Sequence, residues 1–399
     1  MATEYKKYIP TLRFPEFQND GEWKTDTMET IFDIKNGYTP SKSNSSFWDN
    51  GTIPWFRMED IRKNGHILSD SIQHVTPAAV KNAGLFPAYS IIVATTATIG
   101  EHALIIVDSL ANQQFTFLTK RKSFDNKLDM MYFHYFMFIV DEWCKRNTNA
   151  GGLLSVNMDS FKKLTIPYPS SLSEQKKIAD CFVSIDKEID ATKRKLELLK
   201  EHKKGLMQRL FPAKGKTTPE IRFPEFQNDG EWVEVPFGSI INVNSGKDYK
   251  HLDIGNIPVY GTGGYMLSVN DKLSDIDAVG IGRKGTIDKP QYLKAPFWTV
   301  DTLFFLTSSK NYDIRYIYYL CQTIPWKTYG EQTGVPSISK NSIDKLDVVI
   351  TTNLTEQQKI AQSLLHLDNA MDAIEKKIHL LETHKYGLMQ NLFPNLNNY

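Results

Sequence analysis

Two stretches of the chain place apolar residues alternately four and three positions apart. In the first stretch, 171–212, these positions are Ile178, Phe182, Ile185, Ile189, Leu196, Leu199, Leu206 and Leu210. The second stretch, 353–394, keeps the same spacing from Ile360 to Leu392. An apolar period of 3.5 residues that persists over several heptads is typical of a coiled coil. The pattern therefore predicts one long helix in each stretch.

Residues at the ends of the two stretches fit helix boundaries. Ser171 and Asn353 are suitable N-cap residues, and each is followed three positions later by a glutamate. Pro212 and Pro394 would end the helices, because proline lacks the backbone N–H that a helix interior needs. Both stretches therefore carry a start signal and a stop signal.

The chain length between the helices predicts their relative direction. Each helix would be roughly 50 Å long at 1.5 Å per residue, and 221–352 would form a compact domain about 35 Å across. An antiparallel pair lets the second helix begin where the first ends, so we expect an antiparallel coiled coil. The apolar residues at heptad spacing form one seam along each helix. Lys203 and Lys385 occupy equivalent positions in the two seams, and we expect their ammonium groups to reach solvent.

Outside these stretches the pattern is that of mixed α/β domains. Strand-like runs occupy 90–95, 103–107, 115–119, 278–281 and 302–306, with Gly, Pro and Asp turns between them. Shorter helices are predicted at 130–145 and 314–329. The predicted fold class is α+β, with two mixed α/β globular domains joined by two long antiparallel coiled-coil helices.

The chain also contains an internal repeat. Residues 12–23 recur at 221–232 with eleven of twelve positions identical, and 171–212 recur at 353–394 with 21 of 42 identical. The interiors, 25–169 and 234–352, share little identity. A duplicated frame predicts two domains related by a pseudo-two-fold axis. The predicted boundaries are 1–170 for the first globular domain, 171–212 for the first long helix, 213–352 for a linker and the second globular domain, 353–394 for the second helix and 395–399 for a tail.

Composition and charge exclude several classes of protein. Lys plus Arg number 47 against 46 Asp plus Glu, a formal charge of +1, so the chain is not a polycation, and any nucleic-acid surface must be a local cluster. The three cysteines lie far apart, which indicates neither a disulfide framework nor a zinc site and fits a cytoplasmic protein. The sequence shows no signal-peptide pattern and no apolar run of membrane-spanning length, so we expect no membrane partner.

Sequence motifs of a self-sufficient enzyme are missing. The chain has no adenine-methyltransferase motif, no Walker A loop and no dinucleotide-binding fingerprint. The glycine-rich run 260–265 lacks the spacing of a cofactor loop and is better explained as a turn. A methyltransferase or nuclease that acts alone is therefore disfavoured.

Several short motifs together resemble the specificity (S) subunits of type I restriction-modification systems. The matching pieces are RFPEF at 13–17 and 222–226, IPW at 53–55, ATIG at 97–100, NQQ at 112–114, IGRKGTI at 281–287, and LxEQxKIA at 172–179 and 354–361. No piece is diagnostic alone, but their order, in two copies with a helix after each, is specific.

The resemblance implies a function. Each globular segment would be a target-recognition domain that reads one half of a bipartite duplex DNA site. The two helices would set the spacing and dock two methyltransferase (M) subunits, and endonuclease/translocase (R) subunits would join the full complex. The chain itself would catalyse nothing and bind no cofactor, since S-adenosylmethionine would sit on the M subunits.

DNA contacts require cations that displace counterions from phosphate and polar side chains that reach base edges. The candidates are loop residues: Arg57, Arg62, Lys63, Thr95, Thr96, Thr98, Asn112, Gln113 and Gln114 in the first domain, and Lys247, Tyr249, Lys250, Tyr260, Thr262, Arg283 and Lys284 in the second. Each has a plainer alternative, because such cations often serve solubility alone. Gln113 and Gln114 equally suit hydrogen bonds to buried backbone.

The repeated tail Gly-Leu-Met-Gln-x-Leu-Phe-Pro supplies candidates for partner binding. Met207, Phe211, Met389 and Phe393 are expected to be exposed beside the seams, where adaptable side chains suit a protein partner. The alternative is that they pack onto the chain's own globular domains. A different function also stays open at this point, namely a two-headed protein-binding adaptor with a coiled-coil spacer and no DNA role.

Overall fold

A computed structural model describes residues 8–82, 84–149, 154–309, 311–330, 334–394 and 396. The chain divides into two compact units. Unit 1 comprises Met1–Ala191 and Ile378–Tyr399, and unit 2 comprises Thr192–Lys377. Each unit therefore combines one globular segment with part of each long helix.

The globular segment of unit 1 is a mixture of strands and helices. Its strands are β1 (Lys24–Thr27), β2 (Phe32–Asn36), β3 (Ile53–Phe56), β4 (Ile67–Leu68), β5 (His74–Val75), β6 (Ser90–Ala94), β7 (His102–Ile105), β8 (Leu110–Ala111), β9 (Phe115–Lys120) and β10 (Thr165–Tyr168). Its helices are α1 (Met28–Ile31), α2 (Met58–Asn64), α3 (Met130–Arg146) and α4 (Met158–Lys163), followed by the long α5 (Leu172–Leu210). The strands form sheets β2-β9-β6-β7-β4, β5-β3-β8 and β1-β10.

Unit 2 has a corresponding set of elements. Its strands are β11 (Val233–Pro236), β12 (Ile241–Ser245), β13 (Ile254–Gly261), β14 (Gly264–Val269), β15 (Ala278–Gly282), β16 (Gln291–Leu293), β17 (Trp298–Thr299), β18 (Leu303–Ser308) and β19 (Asp347–Ile350). Its helices are α6 (Ile314–Thr323) and α7 (Lys340–Asp344), followed by the long α8 (Leu354–Leu392). The strands form sheets β12-β18-β15-β16, β14-β13-β17 and β11-β19.

The two interiors share a topology although they share little sequence. In each unit the first strand pairs with the strand that precedes a long helix (β1 with β10, β11 with β19). A central strand, β6 or β15, lies between two antiparallel neighbours and is buried along its whole length. A parallel pair, β3 with β8 or β13 with β17, lies in a separate small sheet. The duplication therefore extends beyond the identical end segments into the folded interiors.

The predicted helix at 314–329 is shorter in the structure, because α6 ends at Thr323. Ile324 has extended backbone angles and Pro325 follows it, as expected for a residue that precedes proline. The prediction at 130–145 agrees with α3. No helix in the described ranges has the length and apolar character needed to cross a membrane.

Both long helices predicted from the heptad pattern are present, each 39 residues long. Within unit 1 the α5 residue Asp186 bonds to Lys385 of α8 at 2.6 Å, and Phe182, one turn earlier on α5, stacks on Phe393, which lies just beyond the end of α8. The numbering of the contacting residues therefore runs in opposite directions, so the helix segments in this unit are antiparallel. In unit 2 Lys203 of α5 bonds to Asp368 of α8 at 2.6 Å.

The expectation that Lys203 and Lys385 direct their ammonium groups to solvent is wrong. Both side chains are largely covered, and each ammonium bonds to an aspartate of the neighbouring helix. Each also lies within 5.5 Å of the centroid of a tyrosine ring, Tyr319 or Tyr135. The tyrosine hydroxyl donates to the same aspartate, Asp368 or Asp186. An aspartate on the neighbouring helix therefore balances the charge of the lysine that interrupts each apolar seam.

The expected exposure of the tail residues is also wrong. Met207, Phe211, Met389 and Phe393 are between 2% and 9% exposed. Phe393 packs against Tyr132 and Phe136 of α3, and Phe211 packs against Trp232 and Tyr316 in unit 2. The structure thus favours the alternative of packing onto the same unit, because aromatic side chains of the globular segment cover the end of each long helix.

The repeated RFPEF motif binds the start of the long helix in its own unit. Arg13 forms two hydrogen bonds of 2.6 Å to the carboxylate of Glu174, and Arg222 forms bonds of 2.6 and 2.8 Å to Glu356. Both glutamates are almost completely buried. The two segments of highest identity in the repeat are therefore physical partners, and the glutamates serve this contact in addition to their place in the first helical turn.

Candidate nucleic-acid interface

Three of the predicted DNA-binding segments of unit 1 meet at one edge of the β2-β9-β6 sheet. The strands β2 and β6 both run antiparallel to β9, so their carboxyl ends lie at the same edge. The amide of Asn112 donates to the carbonyl of Phe56 at 3.0 Å, which places Arg57 beside Asn112. The amide of Thr95 donates to the carbonyl of Gln114 at 3.2 Å. Loops 95–98 and 112–114 and residue Arg57 are therefore neighbours.

The amide side chains of 112–114 are held by local bonds. The amide nitrogen of Asn112 donates to the side-chain oxygen of Gln114 at 3.2 Å. The hydroxyl of Thr39 donates to Gln113. The side-chain oxygen of Asn112 also accepts from the backbone amide of Gln114 at 3.1 Å. The alternative of bonds from Gln113 and Gln114 to buried backbone is not what the structure shows, since their side-chain oxygens accept from the side chains of Thr39 and Asn112. Gln113 is exposed, and a role for it in DNA contact stays a prediction.

Thr95 is not placed to touch a ligand. Its side chain is buried, and its hydroxyl is 3.1 Å from that of Thr116. The Thr116 hydroxyl in turn donates to the side-chain oxygen of Asn36 at 3.0 Å. These hydrogen bonds join the ends of β6, β9 and β2. The Thr95 side chain therefore stabilises the edge from inside the unit. Thr96 and Thr98 are partly exposed.

The cations of unit 1 lie on and before α2. The guanidinium of Arg57 lies 5.8 Å from the centroid of the Trp55 ring and 3.3 Å from the carboxylate of Glu59. Lys63 also contacts Glu59, at 3.1 Å, and Arg62 is exposed in the last turn of the helix. Glu59 therefore offsets part of the positive charge on this side of the unit.

Unit 2 gathers its candidates at the equivalent edge. The strands β12 and β15 both run antiparallel to β18, which lies between them, so Lys247 and Arg283 follow carboxyl ends at the same edge of the sheet. The amide of Lys247 donates to the carbonyl of Thr299 at 2.9 Å. The amide of Val300 donates to the carbonyl of Tyr260 at 3.0 Å. Lys247 and Tyr260 are therefore both adjacent to β17. Tyr249 and Lys250 continue the loop that follows Lys247 and are partly and fully exposed.

The glycine-rich run 260–265 is the turn of the β13–β14 hairpin, as the sequence suggested. The side-chain amide of Gln291 donates to the carbonyls of Gly261 and Thr262 at 2.9 and 3.2 Å. The rings of Tyr260 and Tyr265 pack edge to face, with centroids 6.4 Å apart. These bonds hold the turn in place, and the Tyr265 ring is exposed on it.

Arg283 and Lys284 are both exposed. The backbone of Arg283 is bonded on both sides, because its amide donates to Thr302 at 2.8 Å and its carbonyl accepts from Ile338 at 3.0 Å. Lys284 forms an isolated bridge with Ser337. Among the described residues, no acidic side chain forms an ion pair with either cation. Their charges are therefore available to an anionic ligand.

Tyr38, which was not among the predicted residues, occupies in unit 1 the backbone position that Lys247 occupies in unit 2. The amide of Tyr38 donates to the carbonyl of Ala111 at 2.8 Å, as that of Lys247 does to Thr299. Each residue follows a glycine, Gly37 or Gly246, at which a Cβ would collide with backbone carbonyls of the neighbouring segment. The available signal was an Asn-Gly-Tyr or Ser-Gly-Lys triplet directly after a strand.

Comparisons with known proteins agree on one family. A family model described as type I restriction modification DNA specificity domain matches residues 20–201 and 229–383. The EcoprrI specificity subunit of Escherichia coli is 31% identical over 363 residues, which cover 87% of this chain and 88% of that protein. The MjaIX specificity subunit of Methanocaldococcus jannaschii is 26% identical over 250 residues, 58% of this chain and 55% of that protein.

A solved structure shows the same fold. The crystal structure of the type I restriction-modification S subunit from M. genitalium covers 96% of this chain and 99% of its own, with a TM-score of 0.64 and 19% identity. At that identity the likeness concerns the fold alone, and it extends over both units.

Proposed function

Because the chain belongs to the type I restriction-modification DNA specificity family, we propose that each unit reads one half of a bipartite duplex DNA site through the sheet edge described above. The observation that carries this proposal is the gathering of the candidate loops at the same strand ends in both units. The loops differ in sequence while the frame is shared. This is the arrangement expected if one duplicated scaffold carries two sets of loops that read two different half-sites.

The charge distribution supports DNA as the ligand. The chain has almost no net charge, yet Lys247, Lys250, Arg283 and Lys284 are exposed in the edge loops of unit 2. Such local clusters displace counterions from phosphate, and the polar and aromatic side chains between them contact bases. These four cations follow the carboxyl ends of the two strands that flank β18, so they lie at one edge of the sheet.

The chain acts as the specificity component of a complex and not as its catalytic part. We propose that two methyltransferase subunits dock on it and hold S-adenosylmethionine, and that endonuclease/translocase subunits join the full complex. The long helices would set the distance between the half-sites, because each is continuous over 39 residues.

Two equivalent cavities support partner docking at the repeated tail. In unit 2 a cavity of about 750 Å³ lies over Met207 and Phe211 and is rimmed by Lys204, Gln208 and Lys214. In unit 1 a cavity of about 540 Å³ lies over Met389 and Phe393 and is rimmed by Arg146, Tyr386 and Gln390. Because the four tail residues are largely buried within their own units, the exposed polar residues of the rims would carry most of the contact with a partner.

A selection experiment tests the proposal. Full-length protein, alone and co-expressed with its methyltransferase subunit, is incubated with a random duplex DNA library, and bound sequences are read at several salt concentrations. We expect a motif of two conserved halves separated by an unread gap. Replacing 25–169 by the interior of a related protein should change one half only. Binding without any sequence preference would contradict the proposal, and no binding to DNA at any salt concentration would favour the protein-binding adaptor.

A further inference from the structure

One turn has the same backbone structure in both units but carries different side chains. After β6 the carbonyl of Thr95 accepts from Val156 at 2.9 Å, and after β15 the carbonyl of Arg283 accepts from Ile338 at 3.0 Å. The next residues, Thr96 and Lys284, form isolated bridges to Ser155 and Ser337. Thr95 and Arg283 are therefore equivalent positions of the duplicated frame.

The side chain beneath this position also differs between the units. The register of β6 with β9 and of β15 with β18 makes Thr116 equivalent to Phe304. In unit 1 the hydroxyls of Thr95 and Thr116 hydrogen-bond and are buried. In unit 2 the Arg283 guanidinium lies 5.7 Å from the centroid of the Phe304 ring. The same pair of positions thus holds two buried, hydrogen-bonded threonines in unit 1. In unit 2 it holds an exposed arginine near a buried phenylalanine ring.

We propose that Arg283, held in position by the ring of Phe304, is a specificity-determining residue of unit 2 that reads a guanine edge in the major groove. This inference rests on the proposed DNA-binding function. A guanidinium presents two parallel N–H donors in a fixed plane, which match the O6 and N7 acceptors of guanine. A cation is attracted to the face of an aromatic ring. The Phe304 ring would therefore limit the orientations of the Arg283 guanidinium before DNA binds.

The neighbouring lysine supports this division of roles. Phosphate requires only a point charge, and the exposed Lys284 supplies one directly beside Arg283. Phe304 is a positioning residue in this proposal, since its ring is buried and acts through Arg283. Unit 1 has no cation at the equivalent position, so its half-site should be read by other residues of its edge.

The test compares four variants of the full-length protein, co-expressed with the methyltransferase subunit, on duplexes carrying the selected motif. Arg283→Ala removes the guanidinium, and Arg283→Lys keeps the positive charge but loses the planar pair of N–H donors. Phe304→Leu removes the ring beneath the guanidinium while keeping an apolar side chain. Lys284→Ala removes an equal charge from the adjacent position and is the matched control. Thermal unfolding of each variant is measured alongside.

We expect both Arg283 variants to lose roughly 10- to 100-fold of the preference for guanine at one base pair of one half-site. Phe304→Leu should reduce that preference while leaving non-specific affinity unchanged. Lys284→Ala should weaken binding to all sequences alike and lower the salt slope by about one.

Three results would overturn the inference while leaving the proposed function intact. These are an unchanged motif in both Arg283 variants, a uniform weakening in Arg283→Ala that Arg283→Lys restores, or a preference in Phe304→Leu equal to that of the folded wild type. If the wild type selects no motif at all, the proposed function itself fails. Because Arg283 is exposed, its variants stay informative even if Phe304→Leu is too unstable to study.

Discussion

The contact between the RFPEF motif and the long helix predicts a strong energetic coupling between distant segments. Arg13 and Glu174 lie 161 positions apart, and the guanidinium and carboxylate meet through two bonds of 2.6 Å. The side chains are 12% and 1% exposed. Replacing Arg13 by Ala would leave the Glu174 carboxylate buried without its partner.

The expected cost follows from that burial. Breaking a buried pair from one side costs about 3–5 kcal/mol, because an uncompensated charge remains in a low-dielectric site. Arg13→Ala should therefore destabilise unit 1 by about 3 kcal/mol or more. The double variant Arg13→Ala, Glu174→Ala should lose clearly less than the sum of the single losses, since it removes both charges.

The structure supplies a matched control between the same two segments. Lys177 contacts Glu16 at 3.1 Å, but both side chains are about half exposed. Lys177→Ala should cost far less than Arg13→Ala, because an ion pair in solvent contributes little to the free energy of unfolding. Urea unfolding of the wild type, the single variants and the double variant gives the coupling energy directly. Equal costs for Arg13→Ala and Lys177→Ala, or strict additivity in the double variant, would refute the reasoning.

Three further predictions concern the tail, the buried histidines and the helices. Phe393→Ala should destabilise unit 1 by about 3–5 kcal/mol because it empties a site between aromatic rings, whereas the exposed Tyr386→Ala should cost less than about 0.5 kcal/mol in the same unfolding measurement. Burial lowers the pKa of His134 well below its usual value, so the unfolded chain takes up a proton that the folded unit excludes as pH falls below about 6.5. The free energy of unfolding should therefore fall between about pH 7.5 and 5, and it should fall less in His134→Phe; an equal fall in both proteins would contradict this. Inserting seven residues after Thr192 and seven after Ile374 preserves the heptad phase and lengthens each helix by about 10 Å. The selected gap should widen by about three base pairs, and a folded, active variant with the original gap would show that the helices do not set it.

Some parts of the candidate interface were accessible from sequence and others were not. Polar loops next to apolar strand-like runs were recognisable from their Arg, Lys, Asn and Gln residues at 112–114, before a run, and at 283–284, after one. That these loops share an edge depends on strand order, which places β9 between β2 and β6. Whether a threonine in such a loop faces solvent depends on the neighbouring strand, and the buried Thr95 hydroxyl lies 3.1 Å from that of Thr116 on β9.

Local periodicity and self-similarity, which need no knowledge of distant contacts, determined the two long helices and the duplicated frame, while the order of the short motifs carried the family resemblance. Heptad spacing is a property of neighbouring turns, so it is visible in the sequence alone. Tertiary structure decided which side of each seam is covered. Phe211 and Phe393 are buried because aromatic residues of the globular segment meet them, and the ammonium groups of Lys203 and Lys385 turn inward because an aspartate lies on the opposite helix. Burial is a property of pairs of segments far apart in the chain, and only the folded chain brings those segments together.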